Sequence, residues 1–381
     1  MLSLHTNSAA LSAQVSLSRT EGRMALAMTR LGTGFRINSA RDDAAGLQIA
    51  TRLSSELHGM AAARANIQKS TSMLQTADGA LDVSGKILIR MKDLAIQAAD
   101  GTTSDHDRAA LQAEYTALTR ELSHISIATT FGGTKLLLGD STEERAAAAN
   151  AAQAAGAAAA NASAAQGAAQ GQYDNALANH QGAPTALTLA ALTAANDALI
   201  QTTAAATVAG EAATESQNYA TAVAAATAVD GAFSAPLDFQ IGDSDEEVMT
   251  VRLTPELTAM HSALHAAAST YDTFGIVRNG AGTDLVIAST ATTAIGNLQT
   301  AIDAVAAVRS SIGAAGNRLD HAANNLATSQ VNASAARGRI MDADFAQESA
   351  NMISQQMLMQ SGTAVLRQAG SISSMLMSLL R

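Results

Sequence analysis

The fold class predicted is mainly α: a long antiparallel helical coiled-coil bundle formed by both chain ends, a small β-hairpin region, and an alanine-rich, helical, projecting insert. The first sign is periodicity. Apolar residues recur every seven positions near the start, at Leu53, Met60, Ile67, Leu74, Leu81, Leu88 and Ala95, and near the end, at Val305, Ile312, Leu319, Leu326, Ala333 and Ile340. A strict heptad keeps one stripe of a helix facing a partner and imposes a left-handed supercoil, so the two ladders are expected to pair. The second sign is composition: 3% of the 381 residues are aromatic, with no tryptophan and three prolines. Thin bundles of Leu, Ile, Val, Met and Ala fit that better than a large globular core. The third is the alanine-dominated stretch 143–230, because alanine favours helix.

Residues 1 to about 31 place Leu4, Leu11, Val15, Met24, Met28 and Leu31 at helical spacings before Gly32 and Gly34 interrupt them. GTGFRINSARDDAAG then turns the chain, with Asp42 or Asp43 suited to cap the next helix. That helix should run to about Ala99, a rod of about 80 Å, closed by Asp100, Gly101 and Thr102. Beside its ladder lies a stripe of mostly small residues (Ala63, Ser70, Ala77, Ser84, Met91), matched by Val308, Ala315, Ala322, Ser329, Ala336 and Ala343 beside the C-terminal ladder. Small side chains let helix axes approach closely. A third helix is expected from about Ser104 to Ala128, with Leu111, Leu118 and Ile125 in one stripe and Tyr115 and Leu122 in the next.

In the insert, Gly156, Gly167, Gly171, Gly182, Pro184 and Gly210 read as breaks, and Leu187, Leu189, Leu192, Leu199 and Ile200 favour helical hairpins over low-complexity disorder. LDFQIG and VMTVRL, separated by the acidic GDSDEE, alternate as two strands joined by a polar turn, and the run from Asp284 to Ala288 suggests a further strand. The last segment, 345–381, carries Leu358, Val365, Ile372 and Leu379 in one stripe and Met352, Met359, Leu366 and Leu380 in the next. An amphipathic helix needs something to bury its apolar side: the first 30 residues or neighbouring copies. The expected division is therefore 1–40 with 345–381, 41–142 with 231–344, and 143–230.

The net charge of −10 provides no dense basic stripe to displace phosphate counterions, so neither nucleic acid nor an anionic membrane is expected as a partner. Absent cysteine excludes disulfides, thiolate metal sites and cysteine catalysis. The start of the chain lacks the pattern of a standard secretory signal, and no stretch has the ~20 mostly apolar residues of a membrane span. Export, if it occurs, would use another route.

SARDDAAGLQIATRL after GFRIN, followed by NIQKSTSMLQTADGAL and DLAIQAADGT, resembles the N-terminal region of bacterial flagellin. GAAGNRLDHAANNL, ARGRIMDADFAQESANM and MSLLR resemble its C-terminal region. The resemblance covers roughly 1–140 and 285–381. It implies a structural subunit of an extracellular flagellar filament for swimming motility: terminal helices in the polymer core, heptad helices around them, and the middle of the chain outward. It implies export through the flagellar type III channel, an export chaperone, and cap and junction proteins as further partners. Flagellins of many bacteria are also ligands of the vertebrate innate receptor TLR5, and the resemblance implies the same of this chain. In LIRMKDLAIQAADG, Arg90, Leu94 and Gln97 stand at matching positions, as does Glu114 in LQAEYTAL, while Ile89 departs from the polar residue common there. A hook-filament junction protein, a flagellin with an additional activity in its insert, and a secreted helical translocator are the alternatives. The translocator lacks these terminal motifs.

His261 and His265 in MHSALH have the spacing of a zinc pair, but Ser262 stands where a zincin needs glutamate, so surface histidines are expected. Asp42 and Asp43 are expected to act as caps, or as inter-subunit partners of arginines such as Arg36 and Arg41, rather than as a catalytic pair. Met352, Met357, Met359, Met375 and Met377 suit adaptable packing in a polymer core, which an export chaperone could cover beforehand. Without a phosphate loop, nucleophile elbow or metal cluster, no catalytic residue, cofactor or metal ligand is expected. Serines and threonines of the insert could be glycosylated.

Overall fold

The structure, a computed structural model, describes residues 7–225, 229–274 and 282–379; the side chains of residues 143, 144 and 372–379 lie outside the description. Eight helices and two strand pairs are found among the described residues. Contacts divide the chain into two compact units, Met1–Asn66, Gln240–Glu247 and His321–Arg381 in one, Ile67–Phe239 and Val248–Asp320 in the other.

In the first unit, α1 (Ser8–Thr33) packs against α8 (Phe345–Leu379). The Asn7 side chain caps α1 by accepting from the Ala10 amide at 3.0 Å, and Gly34 ends it in the left-handed conformation at φ 75°. Two loops bind each other beyond it: the Arg36 amide donates to the Met341 carbonyl at 2.6 Å and the Ala343 amide to the Gly34 carbonyl at 2.9 Å. Asp43 begins α2 (Ala44–Ala99), accepting from the Gly46 amide at 2.8 Å. Its neighbour Asp42 instead accepts the amides of Asn38 and Ser39, which hold its pKa below the usual carboxylate value.

Both units contain part of α2 and part of α7 (Ala288–Met341), which run antiparallel. In the first unit Arg64 donates to Gln330 at 3.1 Å. In the second, Arg309 donates to Asp78 at 2.8 Å and to Asp82 at 2.9 Å, and Lys92 donates to Gln299. The ladder from Met60 to Leu88 is buried, as are Val305, Ile312 and Leu319, while Leu53 and Leu326 are half-buried.

In the second unit, α3 (Asp105–Ala128) is capped by Ser104, whose hydroxyl accepts from the Asp107 amide. Of its two apolar stripes, Leu111, Leu118 and Ile125 are half-buried while Tyr115 and Leu122 are buried, on a face that also carries Arg108, Gln112, Thr116, Thr119, Ser123 and Ser126. Polar residues can be buried there because hydroxyls of Thr116, Thr119 and Ser123 donate to carbonyls one turn back. Arg108 ties α3 to the end of α2 through the Ala98 and Asp100 carbonyls, at 2.9 and 3.2 Å. A hairpin of β1 (Thr130–Phe131) and β2 (Thr134–Lys135) follows, absent from the sequence expectations. Its two-residue turn is Gly132–Gly133, at φ 59° and 86°, the conformation such tight hairpins require.

The insert is a helical hairpin, α4 (Ser141–Gly182) against α5 (Ala186–Ala225). Gly156, Gly167, Gly171 and Gly210 lie inside these helices rather than breaking them. A glycine costs only about 1 kcal/mol in a helix, which an alanine-rich setting absorbs. The hairpin is anchored at its base. Ala148, Tyr219 and Val223 form a cluster with Phe274, the Tyr219 hydroxyl donates to Asp272 at 2.9 Å, and the Ser141 amide donates to Asp230 at 3.0 Å.

Strands β3 (Leu237–Gln240) and β4 (Val248–Val251) pair as expected from alternation. After α6 (Thr254–Ala267), the run from Asp284 to Ala288 is not a strand: it is turn, and α7 starts at Ala288. A short apolar run lacks a period long enough to separate strand from helix approach.

Candidate functional site

The two stripes of α8 have different fates. Met352, Met359 and Leu366 are half-buried on the side that meets α1, with Ala369 buried beside them. Facing them on α1 are Ala13, Leu17, Thr20, Met24, Ala27 and Leu31, alternating three and four apart as a packing seam requires. Glu348 accepts from Arg30 across the seam at 3.5 Å, and Asn7 donates to the Ala369 carbonyl at 2.9 Å.

The other stripe is uncovered: Leu358 is 52% exposed and Val365 55%. Ile353 and Met357 on α8, with Leu11, Val15 and Met28 on α1, are exposed too. Ile372, Leu379, Leu380, Met375 and Met377 fall outside the described side chains, and Leu4 outside the described residues. A helix pair that leaves this many large apolar side chains in water marks an association surface rather than a finished core.

Along α2, Arg90 makes a two-point ion pair with Glu114 of α3, at 2.9 and 2.7 Å, and both side chains are about half exposed. Gln97 and Ile89 are exposed nearby. Leu94 is different: at 1% exposure it packs inward and supports this face without being available for contact.

The expected surface histidines are not on the surface. His261 is buried: Nε2 meets the Leu137 carbonyl at 2.8 Å and Nδ1 meets the Tyr271 hydroxyl at 3.1 Å. Burial lowers its pKa to about 4, so the ring is neutral near pH 7. In that form Nε2 donates to the carbonyl and Nδ1 accepts from the phenol. His265 is half-buried, edge-on to the Tyr271 ring at 5.0 Å. Both line a cavity of about 300 Å³ with Asp140, Tyr219 and Thr258 at the base of the hairpin. With both His261 nitrogens engaged, the i,i+4 pair is a structural element; among the described residues no group of three or more His, Cys, Asp or Glu could hold a metal. Sequence spacing carried no sign of the Leu137 partner, 124 residues away.

Also among the described residues, no helix is long and apolar enough to cross a membrane.

Comparison with known proteins places these surfaces in context. Residues 4–142 match the bacterial flagellin N-terminal helical region and residues 295–380 the bacterial flagellin C-terminal helical region. Flagellin A of Vibrio anguillarum is 34% identical over 390 aligned positions that span all of both chains. Polar flagellin F of Vibrio parahaemolyticus is 33% identical over all of this chain and 99% of its own. A crystal structure of Bacillus cereus flagellin aligns with 69% of this chain and 88% of that one, at 22% identity and a TM-score of 0.37.

Proposed function

The chain belongs to the bacterial flagellin family, and from that premise we propose that it polymerises through its two terminal regions into an extracellular flagellar filament that serves swimming motility. As a member of that family it is a structural subunit and not an enzyme. The observation that supports self-association most directly is the uncovered stripe of α8: Leu358 and Val365 are apolar, exposed and spaced seven apart, beside the stripe that packs on α1. Neighbouring copies would bury it, each fully buried Leu or Val contributing roughly 1.5–3 kcal/mol.

In this reading, residues 1–40 and 345–381 form the polymer core. The heptad helices within 41–142 and 231–344 form the surrounding layer, and 143–230 projects outward. The chain leaves the cell through the flagellar type III channel, with an export chaperone covering the α8 stripe before assembly, and meets cap and junction proteins at the filament ends. TLR5 would meet Arg90, Gln97 and Glu114, the exposed members of the matching set, with Leu94 holding their helix in place.

A double variant, Leu358→Asp with Val365→Asp, tests the reading because neither side chain is needed inside one chain. Sedimentation should show a monomer that melts like the parent and no longer pellets as filament. Filaments of normal yield from that variant would contradict the assignment of the polymer face.

A further inference from the structure

The first unit carries a second uncovered surface. Arg64 of α2 and Arg339 of α7 line an open groove of about 910 Å³, with Ala327, Val331 and Ala335 one helical turn apart between them. Val331 is 68% exposed, and Arg64 donates to the neutral side chain of Gln330 at 3.1 Å. Among the described residues neither arginine has a carboxylate within ion-pair distance; Asp342 is the single acid in the lining.

The same unit holds the complementary charge, in the turn Asp243–Glu247. Its four acids are exposed, and none is ion-paired among the described residues. The turn is also rigidly built. Glu247 accepts the amides of Asp243 and Ser244 at 2.9 and 3.3 Å, and the Gln240 side chain donates to the Gly242 carbonyl at 3.1 Å. Beneath it lies Gly59 of α2, where an added Cβ would come within 2.5 Å of the Asp243 Cβ. Glu247 is consumed in bracing, which leaves Asp245 and Glu246 to point charge outward. At 100° per residue, Gly59 and Arg64 lie about 140° apart round α2. The turn and the groove therefore face different ways.

Two unlike, charge-complementary surfaces on separate faces are what a head-to-tail contact needs: each copy offers one to the copy before and the other to the copy after, and the series stays open. We propose that, between successive copies of this chain, the acidic turn of one seats in the Arg64–Arg339 groove of the next. The contact rests on the polymer reading above and adds a register to it: apolar stripes drive association without direction, whereas paired charges select one alignment and penalise others.

Charge reversal on each side tests it in the full-length chain, with Arg64→Glu plus Arg339→Glu on one surface and Asp245→Lys plus Glu246→Lys on the other. Each pair alone should raise the critical concentration for polymerisation by on the order of tenfold, and the four changes together should restore it to near the parent value. Monomer melting reports folding separately; if a reversal lowers it, the neutral pairs Arg64→Gln with Arg339→Gln and Asp245→Asn with Glu246→Gln replace it, and both should still raise the critical concentration. Variants that polymerise like the parent would overturn the contact. So would failure of the combined variant to recover, which would mean that each surface meets a different partner. In both cases the parent still forms filaments and the polymer reading stands. A parent chain that does not polymerise would remove that reading, and this contact with it.

Discussion

His261 shows how burial decides a residue's chemistry. An imidazole that titrates near 6.5 in an unfolded chain is pushed down to about 4 here, because protonation would place a charge in a buried site and oblige Nδ1 to stop accepting from Tyr271. The folded pKa is depressed, so between these values the unfolded chain binds the proton and the folded chain does not; stability falls as pH drops from 6.5 towards 4. At about 1.4 kcal/mol per tenfold difference in proton affinity, the loss is about 3 kcal/mol. The carboxylates held below their usual pKa, Asp42, Asp82 and Asp107 among them, act only below about pH 4, since their stabilisation fades as they protonate. Asp284, whose carboxyl burial holds above the usual value, gains stability as pH falls over this range and so opposes His261. The His261 contribution is therefore the difference between parent and His261→Gln, which keeps a donor for the Leu137 carbonyl and should lose less stability than the parent between pH 6.5 and 4.5 in thermal melts. An unchanged slope in the variant would place the titration elsewhere. Arg90 presents the opposite case. Its ion pair with Glu114 is exposed and worth less than about 1 kcal/mol, so Arg90→Ala should leave melting almost unchanged while lowering the signal from receptor-bearing reporter cells. Full signal from the variant would remove Arg90 from the recognition set.

At the scale of elements, the ladders were legible because periodicity is a local property of sequence. Leu74, Leu81 and Leu88 on α2, and Val305, Ile312 and Leu319 on α7, are buried where a heptad puts them. Replacing Leu319, fully buried, with Asp would bury an unpaired carboxylate at a cost of about 3 kcal/mol or more. Monomer melting should fall and filament yield with it; normal melting would mean that α7 relaxes away from its seam. Other features depended on partners that sequence does not display. The buried face of α3 includes Tyr115 and Leu122, which apolar spacing marks, but its polar members bond to their own helix and carry no apolar signal. Glycines within α4 and α5 look like breaks when taken singly, but the alanines around them carry each helix through cooperatively. The sequence shows two apolar stripes on α8, but which one stays uncovered, that of Leu358 and Val365, and which one packs, that of Met352 and Leu366, is decided by the packing of α1. The hairpin itself can be shortened: Gln166 pairs with Thr203 at 3.2 Å, which sets the register across it. Replacing residues 160–209 with a short turn keeps Ala148, Tyr219 and Val223 at the base. That variant should fold and still assemble, by melting and sedimentation; loss of filaments would show that the outer hairpin takes part in assembly.

For the whole molecule, the two kinds of apolar surface divide the labour. Stripes buried within one chain, along α2 and α7 and between α1 and α8, specify the subunit. Stripes left exposed on the terminal helices are the faces that the proposed polymer would bury, and that burial would supply its driving force. The central claim is thus that this chain closes its own seams and leaves its terminal faces for other copies. Electron microscopy of the purified full-length chain, concentrated and seeded with short fragments of its own polymer, tests it most directly. Long filaments of uniform diameter, whose reconstructed density buries Leu358 and Val365 between neighbouring copies, are the expected result. A chain that remains monomeric, or filaments in which those two side chains still face water, would contradict it.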